Sequence, residues 1–313
     1  MSTENNKENN FDDKRKKRII YRTLQIIFII GLLISVIGLG KEIYTLWQEE
    51  MYYQQLQNQV NKPGTETDSN DPAGSQTDTD DESESGSETE SETEPEEAKK
   101  PTLEELGIKP PEKNIDWDAL AKTNEDIYAW IYIPGTYVDY PILQHPDKLS
   151  YYLKRTPERK ESKYGSIYTQ YLNSKDFTDP NTVIYGHKYY KTTKMFTTIH
   201  YYESLDFFEQ NRYIYIYTPE KVLVYEVFAA YQGTNENILI SYDFSIESSY
   251  AAYIKNIFEA RDSNAHYLEG REITTADRIV TLSTCITGKD DHRYLVQGVL
   301  LNTGDLPVVE ENE

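Results

Sequence analysis

The chain has 313 residues, which is enough for one large domain with tails or for two small domains. It carries 53 acidic and 32 basic side chains, so its formal net charge is −21. This balance excludes a broad nucleic-acid-binding surface, because phosphate contacts need a basic face. The single cysteine, Cys285, excludes an internal disulfide and a multi-cysteine zinc site. The five histidines are scattered, and we therefore expect no structural metal.

The sequence of the N-terminal region predicts a membrane anchor. A basic tail over residues 1–18 precedes an apolar segment over residues 19–40, and about 20 apolar residues cross ~30 Å of hydrocarbon as a helix. A buried core helix and a cleaved signal peptide are the alternatives. The dense basic flank and the length of the apolar run favour an uncleaved, single-pass anchor. Basic residues before the helix predict a cytoplasmic N-terminus and place the rest of the chain outside the cell membrane.

Two further segments separate this anchor from the remainder of the chain. Residues 41–62 carry apolar side chains at near-helical spacing, which predicts a juxtamembrane amphipathic segment. Residues 63–100 form an acidic linker, with 14 Asp or Glu and no Lys or Arg before Ala98. Such a composition buries too little apolar surface to fold, so we predict a disordered, solvated spacer. A metal-buffering or cell-wall-contacting role is the alternative.

Residues 101–308 have the pattern of a globular domain, and residues 309–313 form an acidic tail. A short helix is predicted over 116–123, and a second helical pattern covers 246–260. Eight strand-like runs, rich in Tyr, Ile and Val, occupy 129–134, 137–143, 165–170, 182–185, 213–218, 222–231, 278–285 and 293–300. We therefore predict a mainly-β fold: a closed or nearly closed eight-stranded barrel with an N-terminal helix and an inserted helix between strands 6 and 7.

The only cysteine ends the seventh strand-like run. Cys285 precedes a polar loop over residues 287–291, and a lone cysteine at such a position is most often an inert core residue. A strand–loop–strand hairpin, however, would bring Cys285 and Arg293 to the same end of a barrel. A guanidinium there is always charged and would stabilise a thiolate or an oxyanion. The alternative for Arg293 is a surface ion pair with Asp290 or Asp291.

A thiol nucleophile also needs an acid or base partner. His187 is the best candidate, because it directly follows a buried-looking strand and a glycine. His145, His200 and His266 lie in polar or aromatic segments that we expect to be loops. His292 is beside Arg293 but shares the predicted flexible hairpin. A histidine at a position such as that of His187 is more often structural or on the surface. None of the three candidates, Cys285, Arg293 and His187, decides the chemistry by itself.

Taken together, these motifs resemble one family. Thr-Leu-Ser-Thr-Cys at 281–285 with Arg293 downstream and Tyr-Gly-His at 185–187 resembles the sortase family of bacterial cysteine transpeptidases. The likeness covers roughly residues 114–301, and the segments that resemble class B sortases are 115–136, 140–144 and 165–168. The helix inserted between strands 6 and 7 is also a class B trait.

The resemblance implies a fold, a reaction and a set of site residues. The fold is a sortase barrel, the catalytic residues are His187, Cys285 and Arg293, and Ser283 and Thr284 are expected to bind substrate. The reaction is cleavage of a C-terminal sorting signal of secreted proteins after Thr, and transfer to an amine of a cell-wall precursor or a pilin. No cofactor is implied. A pilin-polymerising sortase, a secreted cysteine endopeptidase and a non-catalytic membrane-tethered binding barrel remain as alternatives.

Overall fold

The computed structural model describes residues 2–61, 101–189, 192–259 and 263–302. The chain divides into two compact units, Met1–Asn58 and Gln59–Glu313. The acidic linker predicted over 63–100 and the acidic tail predicted over 309–313 lie outside the described residues.

The first unit is helical. Helix α1 (Ser2–Val60) runs without interruption through the predicted anchor and the predicted amphipathic segment. Its apolar side chains from Ile20 to Leu39 are all exposed, as expected of a helix surrounded by lipid. Within the described residues, one helix is long and apolar enough to cross a membrane, and it is this one.

The second unit contains the barrel. It opens with helix α2 (Trp117–Thr123), which begins where the Asp116 carboxylate accepts a hydrogen bond from the Ala119 amide at 2.9 Å. The strands are β1 (Ile127–Tyr132), β2 (Asp139–Gln144), β3 (Ile167–Thr169), β4 (Asn181–Tyr185), β5 (Tyr213–Tyr217), β6 (Val222–Thr234), β7 (His266–Tyr267), β8 (Ile279–Ile286) and β9 (Lys289–Leu300).

The strands close into a barrel in the order β5-β1-β2-β3-β4-β8-β9-β6, and pairing between β5 and β6 completes the ring. The predicted eight-stranded barrel is therefore confirmed, and β7 is a two-residue addition to β6. The pairs β2–β3 and β4–β8 are parallel and the other pairs are antiparallel. Helix α5 (Glu247–Ile257) is the predicted inserted helix after β6, and a short helix that was not predicted, α4 (Ile238–Ser241), precedes it.

Helix α5 covers part of the barrel with a face of apolar side chains. Tyr250, Tyr253, Ile254 and Ile257 are all buried and pack with residues of β6, β8 and β9. Their spacing of three and four residues puts them on one side of the helix, which explains why the helical pattern over 246–260 was readable in the sequence.

Two parts of the second unit differ from the prediction. The segment between β4 and β5 contains a 3₁₀ helix over Met195–Glu203 and helix α3 (Leu205–Gln210) where loop was expected. The predicted loop over 287–291 is shorter, because β8 and β9 continue to a turn at Thr287 and Gly288. Extra pairing of β9 with β6 carries that strand beyond the end that its own sequence suggests.

The first residues of the second unit are fastened to the start of the barrel. The Asn114 amide donates to the Val60 carbonyl at 2.9 Å, and the Asn61 side chain bonds both Lys113 at 2.7 Å and Asp139 at 2.9 Å. Lys113 and Asp139 form an ion pair at 2.9 Å, with the lysine side chain only 3% exposed. The chain between Asn61 and Lys113 thus begins and ends at one place.

Candidate active site

Three adjacent strands bring the predicted catalytic residues to one end of the barrel. Tyr185 of β4 is in parallel register with Ser283 of β8. His187 lies two residues beyond the end of β4, and Cys285 lies two residues after Ser283 in β8. On the other side of β8, Cys285 is the antiparallel partner of Arg293 in β9. The half-buried Cys285 is therefore beside Arg293 and near the end of the strand that His187 follows.

The His187 ring is oriented by the backbone. Its Nε2 lies 2.8 Å from the Leu153 carbonyl, which can only accept, so Nε2 carries a hydrogen and Nδ1 is the nitrogen that gains or loses a proton. Burial lowers the pKa of His187 below 6.5, and the positive charges of Lys154 and Arg293 lower it further, against the opposing effect of the Leu153 contact. The neutral ring is therefore favoured in the free protein.

Two glycines make this placement of His187 possible. Gly165 has φ +60, and a Cβ there would lie 2.2 Å from the Leu153 carbonyl oxygen that holds the ring. A Cβ on Gly186 would lie 2.5 Å from Ile167 and 2.6 Å from Phe196, which is fully buried. Any side chain at either position would displace the segments that orient His187.

Arg293 contacts the backbone of its own strand. One guanidinium nitrogen donates to the His292 carbonyl at 2.7 Å and to the Asp290 carbonyl at 3.1 Å. Asp291 instead pairs with His292 at 2.8 Å, and within the described ranges Arg293 forms no ion pair with Asp290 or Asp291. Its charge acts on the pKa values of His187 and Tyr168, and Cys285 also acts on Tyr168. These influences place the guanidinium, the imidazole and the thiol within one electrostatic environment.

Comparisons with known proteins agree with this geometry. A family model described as a sortase domain matches residues 131–301. Sortase B of Listeria monocytogenes is 33% identical over 184 residues, which cover 58% of this chain and 72% of that protein. Sortase B of Staphylococcus aureus is 31% identical over 169 residues, 54% of this chain and 67% of that protein. This chain belongs to the sortase family.

Solved structures place the protein among class B sortases. A crystal structure of Clostridium perfringens sortase B has a TM-score of 0.53 and 28% identity, and it covers 59% of this chain and 99% of that one. A Staphylococcus aureus sortase B–substrate complex has a TM-score of 0.52 and 28% identity, covering 59% of this chain and 84% of that one. The predicted resemblance is therefore confirmed, and the chain carries the transpeptidase fold of its family.

The two residues expected to bind substrate in this sortase occupy different faces of β8. Side chains alternate along a strand, so Ser283 shares the face of Cys285 and Thr284 points the other way. Thr284 is 2% exposed and its hydroxyl is buried without a hydrogen-bond partner among the described residues. Ser283 is also buried, at 5% exposed. A substrate contact by either residue stays a prediction.

Two tyrosines of the site had no distinguishing signal in the sequence. Tyr168 of β3 and Tyr185 of β4 stack with ring centroids 5.4 Å apart, and the charge of Arg293 acts on both. Burial raises the pKa of Tyr168 to about 12 and also raises the pKa of Tyr185, so both remain neutral phenols at pH 7. Among 28 tyrosines in alternating strands, sequence alone cannot separate these two from core residues.

A second histidine, His200, contacts the backbone of Cys285. His200 was expected in a loop, but it lies in the 3₁₀ helix over Met195–Glu203, and its Nε2 is 3.1 Å from the Cys285 carbonyl. Its Nδ1 bonds the Glu203 carboxylate. Burial lowers the pKa of His200, while the bond to Glu203 opposes that shift. His145, His266 and His292 make their contacts elsewhere, with Asp147, the Glu203 backbone and Asp291 respectively.

Metal-binding side chains are not grouped in the described parts of the chain. Across residues 15–61 and the described portions of 101–302, no three His, Cys, Asp or Glu side chains are placed to hold one ion.

Proposed function

We propose that this sortase is a membrane-anchored cysteine transpeptidase that cleaves a C-terminal sorting signal of secreted proteins after Thr and joins the protein to an amine of a cell-wall precursor. The observation that supports the proposal is the pairing of Cys285 with Arg293 across β8 and β9, at the end of the barrel where the adjacent strand β4 leads to His187. Residues 19–40 would anchor the protein in the cell membrane, with the N-terminus cytoplasmic and the catalytic domain outside.

Each residue has a defined step in this proposal. The Cys285 thiolate attacks the carbonyl carbon of the threonine. Arg293 and backbone amides stabilise the oxyanion that forms. His187, as imidazolium, gives the Nδ1 proton to the leaving amine, and the C–N bond breaks to leave a thioester. The incoming amine then attacks the thioester, loses a proton to the imidazole, and releases the thiolate as the new amide forms.

The relatives support a protein substrate of this kind. The Staphylococcus aureus structure is a complex of a sortase B with its substrate, so a related barrel accommodates a substrate. By extension, the partners here would be secreted proteins with a sorting signal and an amine donor, either a peptidoglycan precursor or a pilin lysine. In this proposal Ser283, on the same face of β8 as Cys285, would contact the substrate.

The test is a peptide assay on the full-length protein in detergent micelles. We expect a library of Thr-containing pentapeptides to yield at least one cleaved sequence, and an added primary amine to shift product from the acid to the ligated amide. Mass spectrometry distinguishes the two products. Cys285→Ala should abolish both while leaving the circular dichroism spectrum unchanged, since the change is small and near a strand end.

The other outcomes identify the alternatives. Cleavage without ligation at any amine concentration would make the protein a cysteine endopeptidase. Peptide binding with equal, negligible turnover by wild type and Cys285→Ala would make it a binding barrel. Ligation to a pilin lysine peptide in preference to a cell-wall peptide would assign pilus assembly.

A further inference from the structure

The carbonyl of Cys285 lies where β8 loses a strand partner. The Ser283 carbonyl accepts a hydrogen bond from the Gly186 amide at 3.1 Å, just past the last residue of β4. Carbonyls two residues apart in a strand point to the same side, so the Cys285 carbonyl faces the continuation of β4, where the chain has already turned away. The His200 imidazole occupies that place, with Nε2 3.1 Å from the carbonyl oxygen.

His200 is itself held on three sides. Its side chain is 8% exposed, and its ring stacks on Tyr294 with centroids 4.6 Å apart and an interplanar angle of 21°. Tyr294 is fully buried in β9 beside Arg293. The Glu203 carboxylate, three residues along the same 3₁₀ helix, bonds Nδ1. The imidazole thus has one orientation that satisfies the stack and both nitrogens.

The hydrogen-bond partners determine where the protons lie. A carbonyl only accepts, so Nε2 must donate to Cys285. A carboxylate also only accepts, so a proton must lie between Nδ1 and Glu203, whether the pair is imidazolium and carboxylate or imidazole and carboxylic acid. In both states Nε2 keeps its hydrogen. The two contacts together fix the orientation of the ring, with Nε2 facing the Cys285 carbonyl and Nδ1 facing Glu203.

We propose that His200, oriented by Glu203, is a positioning residue that fixes the backbone of Cys285 so that the thiol stays aligned with His187 and Arg293. The backbone of Cys285 needs this additional support because the β8–β9 register shifts immediately after Cys285. The nucleophile is thus the last regularly paired residue of its strand, and His200 replaces the missing bond on its other edge. This inference rests on the proposed role of Cys285 as the nucleophile.

Two substitutions separate positioning from packing. His200→Phe keeps an aromatic ring to stack on Tyr294 but removes the donor, whereas His200→Gln keeps a terminal N–H donor and loses the ring. We expect His200→Phe in the full-length enzyme to lower kcat by roughly 10-fold to 10²-fold with KM within about twofold. His200→Gln should recover most of kcat. A packing role predicts the reverse order.

His145→Phe is the matched control. His145 also pairs with a carboxylate, Asp147 at 2.9 Å, and also packs on a tyrosine ring, Tyr151 at 4.2 Å. Neither of these contacts involves Cys285, so kcat should stay at the wild-type value. Glu203→Leu should lower kcat as His200→Phe does, and the double variant should lose no more than His200→Phe alone, because one hydrogen-bond unit is removed in each case.

The results distinguish this inference from the proposed function. Full kcat in His200→Phe, equal losses in the Phe and Gln variants, or additive losses with Glu203→Leu would each overturn it while Cys285→Ala remains inactive. Activity in Cys285→Ala would instead overturn the nucleophile assignment itself. If His200→Phe fails to fold, Glu203→Leu against His200→Gln gives the same comparison, and a wild-type kcat in Glu203→Leu overturns the proposal.

Discussion

The proton chemistry of His187 depends on two neighbours of its imidazole. Leu153 occupies Nε2, so the proton for the leaving amine is carried by Nδ1. Burial, followed by the charges of Lys154 and Arg293, favours the neutral ring by lowering its pKa. The imidazolium that the proposed mechanism requires is therefore a minor form of the resting enzyme at pH 7, and the rate should fall as a rising pH removes it.

The His187 pKa can be measured directly. In the Cys285→Ala protein, an NMR titration of the His187 ring should give a midpoint below 6.5, because burial penalises the charged form. Lys154→Gln should move that midpoint upward, since it removes an exposed positive charge that disfavours the imidazolium. A midpoint at or above 6.5, or no response to Lys154→Gln, would contradict this view of the site.

Arg293 gives a second prediction at the residue scale. If its guanidinium donates to an oxyanion, Arg293→Ala should lower kcat by roughly 10²-fold to 10³-fold. Arg293→Lys should restore only part of that loss, because an ammonium lacks the planar fork of donors. Steady-state kinetics on a cleaved peptide measures both effects.

His292→Gln provides the control for this series, because His292 adjoins Arg293 and pairs with the exposed Asp291. It should keep nearly full activity. Full replacement of Arg293 by Lys would indicate that only a positive charge is needed there, and a mild Arg293→Ala defect would remove the residue from the mechanism.

At the scale of secondary structure, the site depends on tight packing between segments as well as on the pairing register of the strands. The strand β4 ends at Tyr185, and Gly186 lets the next residue pass between Ile167 and Phe196. His187 then reaches the Leu153 carbonyl in the 3₁₀ helix over Tyr151–Lys154. The catalytic histidine of this proposal is thus positioned by three segments that are distant in the sequence.

Gly186→Ala tests this close packing. The added methyl group would meet Ile167 and Phe196 at 2.5–2.6 Å, so one of these buried side chains or the His187 segment must move. We expect kcat to fall at least about tenfold, since misplacement of a catalytic group by about 1 Å is costly. The melting temperature should also fall by several degrees.

Gly270→Ala is a suitable comparison for that measurement, because a Cβ at Gly270 meets no atom within 4 Å. Its φ of +75 makes the backbone strained with any side chain, so it should cost stability without a matching loss of kcat. Equal activity of Gly186→Ala and wild type would show that the packing around Gly186 adapts without displacing His187.

The strands were predictable because their signal is local. Alternating Tyr, Ile and Val with turn residues at each end defined β5 and β8 to within one residue. The 3₁₀ helix over Met195–Glu203 had no such signal, because it is held by contacts such as His200 to Cys285, 85 positions away. Local motifs in the sequence likewise indicated Cys285, Arg293 and His187 as candidate site residues. No local motif marks Tyr168 or His200, whose positions depend on contacts between distant segments.

At the scale of the whole molecule, residues 1–58, with the proposed anchor, and residues 59–313, with the barrel, are two compact units. Deleting residues 1–40 should therefore give a protein that is soluble without detergent and still cleaves peptide. The contacts of Val60 and Asn61 with Asn114, Lys113 and Asp139 remain in that variant. Size-exclusion chromatography and the peptide assay measure the two properties.

Failure of that deletion would be informative in either form. An aggregated product would mean that the removed residues cover apolar surface of the remaining chain. A monomeric, folded and inactive product would mean that they contribute to the site. A comparison with deletion of residues 1–61, which also removes the Asn61 contacts, should show a lower melting temperature for the longer deletion, because Lys113 and Asp139 lose a hydrogen-bond partner.

The hydrogen bonds of Asn61 with Lys113 and Asp139 make the segment between Asn61 and Lys113 a place where insertions should be tolerated. Its two ends are held together by contacts outside it, so its length does not set their separation. Doubling the number of residues between two joined ends costs only about 0.6 kcal/mol in chain entropy. Sequence can therefore be added to or removed from this acidic stretch during evolution, or by engineering, with the barrel and its active site left in register.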